Sequence, residues 1–298
     1  MIVGAEKISV KNFPHMVVNH HYVSFLDSRQ LLDFDRLYHF SGPVIKQHRE
    51  RTVVRSVVRM DFRTDAEERT FYLKRHVPFR TNFMGGIIPF FFRKYFFPGL
   101  SEFEIICAFR EHGIATVVPV AAGGREVSAN QYESFLITES FEPYIPLEDL
   151  IRVAADDLRG KAGEIKKNNL LRQVALLARQ IHDAGFNHRD LNATHVLVSP
   201  FDEEGRFSLA TFDLQRIDRK KWLRWKWFIK VMAEMSYTLP APLFTEEDWL
   251  LLYQTYKGSQ RLNMWDRLEL RIIRGKRRKI SRHDDKIVAR QKQTQERS

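Results

Sequence analysis

One segment constrains this chain more than any other. Asn187-His188-Arg189-Asp190-Leu191-Asn192-Ala193-Thr194-His195-Val196-Leu197-Val198 follows a helical stripe and runs into a strand. Leu170, Leu171, Val174, Leu177, Ala178 and Ile181 supply that stripe with a 3.6-residue period, and Gly185 ends it. The segments 195–199 and 207–212 read as short strands joined by the turn Asp202-Glu203-Glu204-Gly205. Asp213 stands 23 residues after Asp190, within Thr211-Phe212-Asp213-Leu214-Gln215-Arg216. A His-Arg-Asp tripeptide alone is weak. The order helix, His-Arg-Asp, strand, turn, strand, Phe-Asp is far more restrictive.

Phosphoryl transfer calls for two such carboxylates. One accepts the proton of the attacking hydroxyl, and the other holds Mg²⁺ against nucleotide phosphates. Upstream, Phe71-Tyr72-Leu73-Lys74 fits a strand presenting a phosphate-pairing lysine. Its acidic partner belongs on the following helix, where Glu102 and Glu104 are the candidates. Plainer roles stand beside these. Asp190 and Asp213 also suit turns or caps, Lys74 a strand surface, and Glu102 a solvated first turn. His195 suits a metal ligand, a residue orienting Asp190, or a packed strand histidine.

The rest of the chain divides by texture. Val53–Asp61 and Thr70–Lys74 read as an antiparallel strand pair around an acidic turn, and 117–120 and 134–138 as two further strands. Ser101 and Glu104 form a capping-box pattern for a helix that ends at Gly113. Segments 222–235 and 246–256 read as helices. The expected layout is an N-terminal extension (1–36), a β-rich lobe (37–140), a helical lobe (141–260) and a basic tail (261–298).

These residues resemble the Kdo/WaaP-type lipopolysaccharide core kinases, a branch of the protein-kinase-like fold. The resemblance covers about 42–256 and rests on YLKRH (72–76), SEFEIICAFREHGIAT (101–116), SFLITES (134–140), GFNHRDLNATHVLV (185–198) and TFDLQR (211–216). The heptose-kinase branch resembles this chain in having His at position 195, where protein kinases carry Asn. The resemblance implies an α+β, two-lobed kinase-like fold and ATP-dependent phosphorylation of an inner-core sugar, heptose ahead of Kdo. It implies that Lys74 pairs with the ATP phosphates and Glu102 holds Lys74. Asp190 is then the base, Asp213 the Mg²⁺ ligand with His195 as a second candidate, and adenine lies along the backbone around Glu139.

There are departures. No Gly-rich loop lies between Gly42 and Val58, where Lys46, Arg49, Arg51 and Arg55 fall instead. Asp213 is followed by Leu-Gln, and no Ala-Pro-Glu motif follows. The absent loop and His195 keep in view a catalytically silent kinase-like module docking on anionic membrane or on a partner. A protein kinase is the weaker alternative, and the missing Ala-Pro-Glu motif argues against it.

Composition narrows the setting. With 44% hydrophobic and 29% charged residues the chain is not wholly disordered, and a lone cysteine, Cys107, fits a reducing compartment. No secretory leader and no run of roughly 20 apolar residues is legible. The net charge is +11, yet 261–298 alone carries +8. That tail suits a solvated helix end, a nucleic-acid arm or an anchor for anionic headgroups. The segment 79–99, with seven phenylalanines, suits buried packing or a membrane-interface element. Trp222, Trp225 and Trp227 cannot all share one helical face, so some are expected to be exposed. The combined expectation is a cytoplasmic enzyme held peripherally on the inner face of the inner membrane, acting on a lipopolysaccharide or lipid-linked core sugar, with no nucleic-acid partner.

Overall fold

The computed structural model describes residues 7–49, 54–63, 68–80, 97–128, 131–219, 222 and 224–295. The chain forms two compact units. The first takes Met1–Glu142 together with Asp213–Gln215, and the second takes Pro143–Phe212 and Arg216–Ser298.

The first unit is built on an antiparallel seven-stranded sheet. Its strands are β1 (Val10–Phe13), β2 (Met16–Asn19), β3 (Val44–Arg49), β4 (Val54–Arg63), β5 (Glu68–Arg80), β6 (Pro119–Ser128) and β7 (Gln131–Glu139), in the spatial order β1-β2-β6-β7-β5-β4-β3. Two short helices, α1 (Val23–Asp27) and α2 (Phe34–Tyr38), bury Leu26, Phe34, Leu37 and Tyr38 against Val58, Met60, Phe71, Leu73, Phe135 and Ile137. The period of two along β5 decides which side chain goes where. Phe71 and Leu73 enter this core, so Lys74 and His76 point to the opposite face. Residues 10–36, read above as part of an N-terminal extension, are therefore integral to the sheet and its core. Their elements span only four or five residues each, too short for a hydrophobic period to show.

Helix α3 (Pro98–Glu111) packs on β6 and β7. It starts three residues before the expected cap at Ser101, with Phe97 at the N-cap and Pro98 in the first turn, where a missing N–H costs nothing. Gly99 permits the approach to the sheet, since a Cβ there would lie 2.1 Å from the Phe135 carbonyl oxygen. Ser101 and Glu104 thus sit within the helix and do not box its end. The aromatic segment falls mainly at 81–96, outside the described residues.

His76 sits on the α3 face of β5, is 1% exposed, and neither ring nitrogen has a hydrogen-bond partner among the described residues. Burial, followed by the charges of Lys74 and Arg55, pushes its pKa down to about 3. The folded ring stays neutral while the unfolded one takes a proton below its ordinary pKa. His76 therefore contributes stability above about pH 6.5 that is lost as pH falls toward 3. Replacing His76 with Phe should raise the urea midpoint at pH 4 more than at pH 7, with a gain of about 1–3 kcal/mol from removing unpaired polar atoms. Equal shifts at both pH values would rule His76 out as the acid-sensitive group.

The second unit is mainly helical, with α4 (Leu147–Val153), α5 (Gly160–Asp183), α6 (Arg224–Thr238), α7 (Glu246–Lys257) and α8 (Met264–Gln295). All six residues of the expected stripe are buried along α5, and Gly185 takes φ 86° just past its end. A reciprocal capping box between Thr245 and Asp248 starts α7. Asp248 also receives the buried Lys167 ammonium from α5 at 2.9 Å. Small strands β8 (Ile145–Pro146), β10 (Val196–Val198) and β11 (Leu209–Thr211) form one sheet, and β9 (Asn187–His188) pairs with β12 (Ile217–Asp218). The basic tail is not a detached arm. Its helix α8 packs along α6, buries Ile273, and is tied to α7 by ion pairs from Arg274 and Arg277 to Glu246.

Candidate active site

In the first unit, three residues far apart in sequence meet at one ammonium. Lys74, on the α3 face of β5, places Nζ 2.9 Å from Glu102 Oε2 and 2.7 Å from Asp213 Oδ1. Glu102 comes from α3 and is 3% exposed, while Asp213 is 43% exposed. Burial opposes the Lys74 charge, but the two carboxylates outweigh it and raise its pKa. Asp213 adopts φ 56°, a left-handed conformation that costs a residue with a side chain about 1–3 kcal/mol and recurs at functional sites. Of the two candidates, Glu102 meets Lys74, whereas Glu104 is exposed.

Glu139 ends β7, its N–H donating to the Val118 carbonyl at 2.9 Å. Its carboxylate lies near the Tyr22 hydroxyl and, after burial, helps raise the pKa of that group.

In the second unit, Asp190 follows β9 in a tightly bonded turn. Its N–H donates to His188 Nδ1 at 3.3 Å, and its carbonyl lies 2.7 Å from His195 Nδ1. Asn192 closes the turn by accepting from the N–H and hydroxyl of Thr194 at 3.0 and 2.6 Å. The hairpin β10–β11 anchors the far end, with Thr211 Oγ1 donating to the His195 carbonyl at 3.1 Å. Asp190 Oδ1 accepts from Arg216 Nη1 at 3.1 Å, and Lys230 Nζ lies 3.4 Å from the same oxygen. Lys230 also donates to the Arg189 carbonyl and pairs with Glu234 at 2.7 Å.

Lys230 and Arg216 were given no role by the sequence. Arg216 lies inside the TFDLQR stretch, close enough to be noticed. Lys230 lies forty residues beyond Asp190 on another helix, and no spacing rule links the two. His195 meets Phe212, whose N–H donates to the His195 carbonyl at 3.3 Å. Among the described residues there is no cluster of three or more His, Cys, Asp or Glu side chains able to hold a metal.

Comparison with known proteins gives a consistent picture. The model of the lipopolysaccharide kinase (Kdo/WaaP) family matches residues 42–256. A lipopolysaccharide core heptose(I) kinase WaaP of Pseudomonas aeruginosa is 29% identical over 160 residues, covering 52% of this chain and 58% of that protein. A heptose(I) kinase WaaP of Escherichia coli is 32% identical over 139 residues, 46% of this chain and 51% of that one. A 3-deoxy-D-manno-octulosonic acid kinase of Actinobacillus succinogenes is 27% identical over 167 residues, 53% of this chain and 62% of that one. The matched region is thus little more than half the length of these relatives. A solved structure described as WaaP in complex with acyl carrier protein has the same fold, with a TM-score of 0.65 at 24% identity over 90% of this chain and 98% of that one.

Proposed function

Because the chain belongs to the lipopolysaccharide kinase (Kdo/WaaP) family, we propose that it transfers the γ-phosphoryl group of ATP to a sugar hydroxyl of the lipopolysaccharide inner core, on heptose rather than Kdo. The observation that carries this reading is the meeting of Lys74, Glu102 and Asp213. An ammonium held by one buried and one open carboxylate suits phosphate binding. Glu102 fixes the lysine, and Asp213 keeps a solvent-facing oxygen. Two heptose(I) kinases match at 29% and 32%, while a third and a Kdo kinase both match at 27%, a lean towards heptose.

Lys74 then orients the ATP phosphates, and the backbone around Glu139 receives adenine. Asp213 fits Mg²⁺ because a carboxylate is a hard oxygen donor, and such sites need only one or two carboxylates beside the phosphates. A cation bound there would neutralise charge on the phosphate oxygens during transfer. His195 fits Mg²⁺ poorly. Its donor would be the imidazole Nε2, and Mg²⁺ takes oxygen ligands, while Nδ1 faces the Asp190 carbonyl at 2.7 Å. We assign it instead to holding the Asp190 backbone. Asp190 accepts the acceptor hydroxyl's proton, and Arg216 and Lys230 hold its carboxylate in place. The test is phosphate transfer from ATP to purified lipopolysaccharide, with the position read by mass spectrometry. Phosphate on a core heptose supports the proposal, and none on any core sugar defeats it.

Attachment to an anionic membrane is part of this reading. Among the described residues no helix is long and apolar enough to cross a membrane. Trp222 and Trp265 are 79% and 69% exposed, while Trp227 is buried. Exposed tryptophans beside a basic helix suit an interfacial face. Changing Trp222 and Trp265 together to Ala should lower flotation with anionic vesicles about tenfold, since two large aromatic side chains leave the interface. Unchanged flotation would remove this face from the argument.

A further inference from the structure

The region around Asp190 is richer in positive charge than a proton acceptor requires. Trp227, 7% exposed on α6, has Lys226 Nζ 5.2 Å, Lys230 Nζ 5.9 Å and Arg189 Cζ 5.0 Å from its ring centre. Lys230 and Arg216 both reach Asp190. A further lysine comes from α8. The Trp225 indole N–H donates to Glu269 at 2.9 Å, and the Tyr237 hydroxyl to Asp284 at 2.8 Å. These two bonds make α6 and α8 run side by side in the same direction, which sets Lys276 beside the middle of α6.

Lys276 is half-buried there. Burial and the like charges of Lys230 and Lys226 pull its ammonium below the ordinary lysine range, with Glu234 offsetting them in part. Among the described residues neither Lys226 nor Lys276 forms an ion pair with a carboxylate. Lys230, by contrast, is committed to Glu234 and Asp190. Two under-neutralised ammonium groups beside a cation-bordered carboxylate are stabilised by a bound anion.

We infer that Lys226 and Lys276, with Lys230 behind them, form an anion subsite of the acceptor, taking a phosphate or carboxylate carried by the saccharide next to the hydroxyl that Asp190 deprotonates. This rests on the proposed role of Asp190 and narrows the substrate class to an acidic saccharide. It also gives α8 a task in substrate recognition. The nucleotide phosphates are assigned to Lys74 and the acceptor anion to Lys226 and Lys276, so changing these two should leave ATP affinity alone.

The test uses the full chain and lipid-free core oligosaccharide in three forms: native, stripped of phosphate with hydrofluoric acid, and carboxyl-reduced. For the wild-type chain, KM should be about tenfold higher for whichever form lacks the recognised anion, the size of one charge-assisted contact. Lys276→Gln and Lys226→Gln should each raise KM for the native form by about the same factor and erase that discrimination. The Kd for Mg-ATP should not move, and Lys161→Gln, an exposed lysine at the start of α5, should change nothing. A KM effect on ATP instead of acceptor, an equal effect of Lys161→Gln, or discrimination persisting in the variants would each overturn the inference. If the wild-type chain phosphorylates no acceptor, the kinase reading fails separately. The subsite is then judged by inorganic pyrophosphate: saturable thermal protection of the wild-type chain that Lys276→Gln loses supports it, and equal or absent protection overturns it.

Discussion

Asp190→Asn should lower kcat for phosphoryl transfer by about a thousandfold, within the 10²–10⁴ range of a general base, while thermal protection by Mg-ATP persists. The change keeps the side chain's size and its ability to accept from Arg216 and Lys230, so the turn should survive. What disappears is the basic oxygen. His195→Ala offers a graded companion. It removes the contact to the Asp190 carbonyl without touching the carboxylate, so it should lower kcat less and leave the KM for ATP unchanged. A catalytically silent module would show no turnover to lose. Asp190→Asn retaining wild-type kcat would strip Asp190 of the role of base.

Lys74→Met should be the most damaging single change in the first unit. Glu102 is 3% exposed and depends on Lys74 for neutralisation. Removing one partner of a buried ion pair costs about 3–5 kcal/mol, because the remaining charge is stranded or must take a proton. Protection by Mg-ATP should vanish with it. The double change Lys74→Met with Glu102→Leu separates the two effects. It should recover most of the stability, since no charge is left buried, and none of the nucleotide binding. If the double variant binds Mg-ATP normally, Lys74 is a structural lysine and the donor site lies elsewhere.

Much of this was legible in the chain because local rules sufficed. The α5 stripe, the hairpin after Asp190 and the strand bearing Lys74 are each set by a period or a turn within one segment. The choice of Glu102 over Glu104 is geometric, because only the residue facing the sheet from α3 can reach β5. Ser101-x-x-Glu104 is a genuine cap pattern, but the Ser101 N–H already donates to the Phe97 carbonyl at 3.1 Å inside a helix that begins at Pro98. The early strands were missed because a four-residue strand carries no period of its own and is held by its neighbours. Lys230 and Lys276 escaped notice for a related reason. Lys230 reaches Asp190 from another helix, and Lys276 comes near Lys230 only through the packing of α8 on α6, which leaves no spacing in the sequence.

The membership of Asp213–Gln215 in the first unit has a consequence for synthesis. A ribosome that has released the sheet through Glu142 has not yet made the residue that completes the Lys74 cluster. Until position 213 emerges, Lys74 has Glu102 alone, and the nascent sheet should bind nucleotide weakly. A fragment ending at the apparent boundary near 142 would fold without its third charge, and one beginning at 143 would carry an aspartate whose partners are missing. Neither half is a cassette that can be cut out and reused. Donor-side competence arrives late in translation, after the chain has begun its helical portion and returned for three residues.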